Sequence, residues 1–206
     1  MGKSALILVD IQLDFCPGGA LAVREGDAVV PVANALQLRH DLVVATQDWH
    51  PADHGSFASQ HVGRTPGECI DLHGLTQVLW PDHCVQGTPG AAFHPALETS
   101  RIARVFQKGT DPTVDSYSGF YDNGRRNDTG LAGWLREQGV SAVTVVGLAT
   151  DYCVKWTALD ARGEGFETTV EVAACRGVLL QPGDVAQALD ELHTAGVRVL
   201  SPSSTA

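Results

Sequence analysis

Cys153 is the residue on which a reaction can be built. It stands in Gly147-Leu148-Ala149-Thr150-Asp151-Tyr152-Cys153-Val154, after a run of small and β-branched residues, Ala142 to Val146, that reads as a buried strand. Val154, Thr157, Ala158 and Ala161 fall at i, i+3, i+4 and i+7, one face of a helix. Thr150 is the expected N-cap, which puts Cys153 in the first turn. Unpaired backbone N–H groups and the positive end of the helix dipole favour an anion there. A thiol so placed is expected to ionise more readily than free cysteine, and the thiolate is the reactive form. The same N–H groups suit an oxyanion formed when sulfur attacks a carbonyl. The alternative is a small, inert, buried cysteine.

Two further sets of residues have chemically useful types and spacing. Asp10 and Lys108 each follow a run that reads as a strand. A cysteine nucleophile needs a proton acceptor, which a carboxylate supplies, and a nearby ammonium lowers a thiol pKa. The competing reading is an Asp–Lys ion pair beside an idle thiol. In Asp48-Trp49-His50 the residues i and i+2 point the same way on an extended segment, so one ion can meet both. His83, in Trp80-Pro81-Asp82-His83-Cys84, offers a third ligand, and such a set suits Zn²⁺, Fe²⁺ or Mn²⁺ with positions left open. Loop histidines with local hydrogen bonds would give the same pattern. His54 and His61 are nearby spares. Phe15, Trp80 and Tyr117 are aromatics that could wall a pocket for a flat ring, or belong to the core.

The elements that must position these groups alternate strand, loop and helix. Strands are expected at Ala5–Val9, Leu42–Thr46, Ile102–Gln107, Ala142–Val146, Glu167–Val172 and Val197–Leu200. Helices are expected over Asp27–Arg39, Leu131–Gln138, the segment after Cys153, and Asp184–Ala195. The stretch from Trp49 to Thr99, rich in His, Pro and Gly, breaks the rhythm, with short helical hints at His73–Leu79 and His94–Leu97. A loop so long inside a compact domain is usually functional. The alternation predicts an α/β fold, a three-layer α/β/α, doubly wound, six-stranded parallel sheet in one domain spanning residues 1–206. In such sheets ligands bind beyond the carboxyl ends of the strands. Asp10, Asp48 with His50, Lys108 and Cys153 would all emerge on that rim.

Bulk properties narrow the partners. With 206 residues, 44% apolar and 18% charged, the chain has the composition of a globular protein. A net charge of −10 argues against nucleic acid or an anionic membrane surface. Neither a spanning apolar run nor a signal peptide is read, and Leu6 breaks a myristoylation pattern. Five scattered cysteines without a CxxC fit a reducing compartment, so a cytoplasmic location is expected. The glycine signatures of dinucleotide and P-loop sites are absent.

Five segments in order, LILVDIQLDFCPGGAL, ATQDWHPADHGSFAS, WPDHCVQGTPGAAFHP, FQKGTDPTVDSYSGFYDN and GLATDYCV, resemble the nicotinamidase branch of the isochorismatase-like cysteine hydrolases over nearly the whole length. The resemblance implies hydrolysis of nicotinamide, with pyrazinamide as an analogue, to the acid and ammonia in NAD salvage. It makes Cys153 the nucleophile, Asp10 the general base and acid, and Lys108 the group that polarises both. It places one divalent metal, zinc before iron or manganese, on Asp48, His50 and His83, facing the substrate's ring nitrogen. Phe15, Trp80 and Tyr117 match ring-binding positions. A non-proline cis peptide is implied at Leu148-Ala149, turning the Ala149 N–H toward the oxyanion beside that of Cys153. Some relatives use a further histidine after the DxH pair, but the spacing of His54 differs and it is left out. Isochorismatases lack the full metal motif, so that branch is disfavoured. Metal-free amidohydrolysis of another small amide, and a non-catalytic ligand-binding protein, remain as alternatives. The partner expected is the small-molecule substrate, with neither nucleic acid nor membrane, and a homo-oligomer is left open.

Overall fold

A computed structural model describes residues 2–201; the expected domain span of 1–206 includes Met1 and residues 202–206, which lie outside the described residues. The central sheet has six parallel strands in the order β5-β2-β1-β6-β7-β8. These are β1 (Lys3–Val9), β2 (Leu42–Asp48), β5 (Arg104–Lys108), β6 (Val140–Leu148), β7 (Glu167–Arg176) and β8 (Arg198–Leu200). Helices α1 (Val29–Gln37), α2 (Leu131–Glu137), α3 (Lys155–Gly163) and α4 (Asp184–Thr194) pack on the sheet, giving the expected three layers.

The central strand is buried because both faces are covered. Ala5 through Val9 are fully buried, and burying each large aliphatic side chain contributes about 1.5–3 kcal/mol. From β1 the chain winds outward through β2 to β5, then returns to the other side of β1 with β6. The switch point therefore lies between β1 and β6, where a crevice opens above the strand ends. Asp10 follows β1 there, and Cys153 follows β6. Gly147 lets the two strands close: its φ is +123°, and a Cβ on it would strike the Val9 carbonyl.

Three local expectations are corrected. His73–Leu79 is not helical but belongs to an antiparallel hairpin, β3 (Cys69–Leu72) and β4 (Leu75–Val78). His73 and Gly74 both take positive φ and close a two-residue turn, with the Asp71 carboxylate accepting the Gly74 N–H. His94–Leu97 makes only a turn, Leu97 N–H to the His94 carbonyl, while the short 3₁₀ helix of that region lies at Pro89–Ala91. Thr150 is not a cap. It opens a π-helical turn, Thr150–Val154, that precedes α3 and in which the Val154 N–H reaches the Ala149 carbonyl at 3.0 Å.

The close approach of β1 and β6 makes Gly147→Ala an expected destabilisation of more than about 1 kcal/mol. Gly133→Ala, inside α2 with open space around its Cβ position, is expected to stabilise by about 0.5–1 kcal/mol. Urea midpoints measure both, and an unchanged midpoint for Gly147→Ala would contradict the contact.

Candidate active site

Lys108, the last residue of β5, lies opposite Asp48, the last residue of β2, in the strand register. Its ammonium is fully buried, 2.9 Å from Asp10 Oδ2 and 2.9 Å from Asp48 Oδ1. It also donates to the Ser116 carbonyl at 2.8 Å and lies 3.5 Å from Cys153 Sγ. One cation thus joins the thiol, one carboxylate beside it and one carboxylate of the metal-type triad. Burial alone would lower the Lys108 pKa, but Asp10 and Asp48 overcome it and hold the ammonium well above its ordinary range.

Asp10 sits at a positive φ of 48°, a conformation that Asp tolerates better than most residues. The turn brings its carboxylate under Thr46, whose hydroxyl donates to Oδ1 at 2.6 Å. Oδ2 has the Lys108 charge beside it but no aligned hydrogen-bond donor. Burial raises the Asp10 pKa, with Lys108 opposing. Burial likewise pushes the Cys153 thiol well above its usual range, again with Lys108 opposing. The expected ease of ionisation is thus opposed by desolvation at a buried position, which Lys108 offsets in part.

Asp48, His50 and His83 converge as the spacing requires. His50 Nε2 is 3.2 Å and His83 Nε2 3.6 Å from Asp48 Oδ2. Each imidazole is oriented through its other nitrogen, His50 Nδ1 to the Gly109 carbonyl (2.9 Å) and His83 Nδ1 to that of Pro81 (2.8 Å). Gly109 has to be glycine at this approach, since a Cβ would meet the His50 ring. His50 Nε2 is buried without a hydrogen bond. A carboxylate and two imidazoles, with an orphaned nitrogen aimed at their centre, fit a divalent cation. Burial would raise the Asp48 pKa, but His50 and Lys108 hold it well below the usual range.

Several contributors were not legible in the sequence. The Gln12 side-chain amide donates to the carbonyls of Asp48 (2.8 Å) and Ala91 (2.9 Å) and accepts the Asp48 N–H (2.8 Å), bracketing the backbone of a ligand. The Cys84 N–H donates to Asp14 (2.7 Å), and the His50 N–H to the Cys84 carbonyl (3.0 Å), which draws the His83 segment against the DxH segment. His54, set aside on spacing, is fully buried with its ring centroid 4.3 Å from that of His50 and its Nε2 orphaned. Donor atoms of His50, His54 and Asp115 also lie within 4.8 Å of one another.

Phe15, Trp80 and Tyr117 do share a narrow cavity, which Cys153, Ala149, Asp48 and His83 also line. The Trp80 indole N–H donates to the Tyr117 hydroxyl (3.4 Å), and Tyr152 packs edge-on against both rings. The Leu148–Ala149 peptide is cis.

The sequence pattern of the isochorismatase domain matches residues 4–203. The chain belongs to the isochorismatase family. Within the family it is 55% identical to a nicotinamidase of Escherichia coli over 202 residues, 95% of this chain and 93% of that one. A nicotinamidase/pyrazinamidase structure from Acinetobacter baumanii superposes with a TM-score of 0.94 at 45% identity, covering 98% and 97% of the two chains. The pyrazinamidase of Pyrococcus horikoshii, solved in complex with zinc, gives a TM-score of 0.78 at 39% identity, covering 97% and 99%.

Removing the ammonium strands two buried carboxylates. Lys108→Ala is expected to destabilise the fold by about 3–5 kcal/mol at neutral pH, read from the urea midpoint. Asp48 is held below its usual range, so its share of that loss is full above the ordinary Asp pKa of about 3.9 and fades as pH falls through the depressed value. A midpoint equal to wild type at pH 7 would contradict the bridging role.

Proposed function

We propose that this chain hydrolyses nicotinamide to nicotinate and ammonia as a step of NAD salvage, and pyrazinamide in the same way. The observation that carries the reading is the Lys108 ammonium, which ties the Cys153 thiol and Asp10 to Asp48 across one aromatic-walled cavity. The cavity that Cys153 lines carries aromatic rings suited to a flat amide, and the names of the similar proteins point to the same substrates.

In this reading Cys153 is the nucleophile. A buried thiol does not ionise unaided, and Asp10, with a raised pKa and an oxygen lacking an aligned donor, takes its proton. Cys153 Sγ adds to the carboxamide carbon, and the oxyanion is held by the Ala149 and Cys153 N–H groups. Asp10 returns the proton to the amide nitrogen, the C–N bond breaks, ammonia leaves and a thioester remains. Asp10 then takes a proton from water, whose oxygen adds to the thioester carbon. The C–S bond breaks, Asp10 returns that proton to the departing sulfur, and the acid leaves with Cys153 restored. Lys108 keeps Asp10 oriented and offsets the charge on sulfur. Phe15, Trp80 and Tyr117 hold the ring. Asp48, His50 and His83, with His54 as a further nitrogen at hand, would hold one divalent ion, zinc in first place and iron or manganese otherwise, which supplies a Lewis-acidic anchor for the ring nitrogen. The five free cysteines suit a cytoplasmic location. Among the described residues no helix is long and apolar enough to cross a membrane.

Ammonia release from nicotinamide and benzamide, before and after chelation, tests substrate and metal role together. Chelation is expected to cut kcat/KM for nicotinamide by about a hundredfold, through lost positioning. Benzamide, without a ring nitrogen, should be poor throughout and change far less. Equal losses on both amides would assign the metal to water activation instead, and no release from nicotinamide by the metal-loaded protein would refute the activity.

A further inference from the structure

Asp151 lies two residues before Cys153 and is buried. A carboxylate so near the thiol in sequence would be expected to serve it, but its oxygens are engaged elsewhere. Oδ1 accepts the Val178 N–H at 2.9 Å and Oδ2 the Leu179 N–H at 2.8 Å. Both donors belong to the loop that follows β7.

The loop is built around this clamp. A Cβ on Gly177 would strike the Val185 side chain and sit 3.2 Å from Asp151 Oδ1, so the backbone comes closer than another residue allows. Leu179 takes a φ of +57°, and the two consecutive N–H groups meet a single carboxylate. The side chains of Leu179 and Leu180 are 51% and 38% exposed, so burying them does not anchor the segment. Val178 is different. It packs on the core and forms a wall of the cavity beside Tyr152 and Cys153. Hydrogen bonds to a charged carboxylate are roughly twice as strong as neutral ones, and here two of them hold one short loop.

We infer that Asp151 is a positioning residue: it fixes Val178 as a wall of the substrate cavity and thereby sets the size of ring the site accepts. The inference rests on the reading that this cavity receives an aromatic amide. Asparagine has nearly the same shape but one acceptor oxygen, and its NH₂ would face a backbone N–H, so Asp151→Asn removes one bond and opposes the other geometry.

The experiment compares Asp151→Asn, Val178→Ala and the double variant with wild type on nicotinamide and a ring-methylated nicotinamide. Asp151→Asn is expected to act mainly on KM and to lower the preference for the unsubstituted ring, as a ratio of kcat/KM values, by about tenfold. Val178→Ala should lower it similarly, and the double variant no further, since both act through one wall. Amide hydrogen exchange at residues 177–180 should quicken in Asp151→Asn, a readout that needs no turnover. Unchanged exchange, an unchanged preference with reduced kcat, or additive losses in the double variant would each overturn the inference. If Asp151→Asn does not fold, an unchanged preference in Val178→Ala overturns it. Absence of nicotinamide turnover in the wild type would count against the proposed function, with the exchange comparison still deciding the clamp.

Discussion

A fully buried ammonium is the constraint on which the rest depends. Removing a lysine charge from water costs several kcal/mol even after relaxation, and only close, well-placed anions offset that cost. Lys108 has two, at 2.9 Å each, and a carbonyl. They come from different strand ends, Asp10 after β1 and Asp48 at the end of β2, with Cys153 arriving after β6. The parallel sheet is what brings these ends to one rim, and the Gly147 contact is what keeps β6 close enough to β1 for the thiol to join them. Stability and chemistry therefore share one ion network.

In the same network, two carboxylates against one ammonium leave an excess of negative charge around Cys153, which together with burial pushes the thiol pKa up. The excess also falls beside His50 and His83, where a divalent cation would compensate it. The Gly109 and Pro81 carbonyls fix both rings with Nε2 facing inward. Orientation is supplied by the backbone on one side of the site and by Gln12, Thr46 and Asp14 on the other.

Much of this was legible in the sequence because it depends on order along the chain. Apolar runs that stop at Asp10, Gln47-Asp48 and Lys108 marked strands and their ends, and the sheet placed those ends together. β2 runs on through Asp48 and β6 through Leu148, a difference only of boundaries. What failed depends on three-dimensional closeness. The upward push on the thiol pKa comes from burial, which leaves no periodicity to read. The β3–β4 hairpin has strands of only four residues, and its best signal was the glycine after His73. Gln12 and Asp151 are ordinary polar residues in their segments, and only their distant partners reveal what they do.

The claim most directly at risk is that Cys153, tuned by Lys108 and Asp10, attacks the amide itself. Rapid quenching of the metal-loaded protein with excess nicotinamide, followed by peptide mass spectrometry, measures this. The account expects a nicotinoyl thioester on the peptide bearing Cys153, formed at a rate at least equal to turnover and much more slowly in a folded Lys108→Met variant. Steady ammonia release with an acyl-free Cys153 at every time point would contradict it.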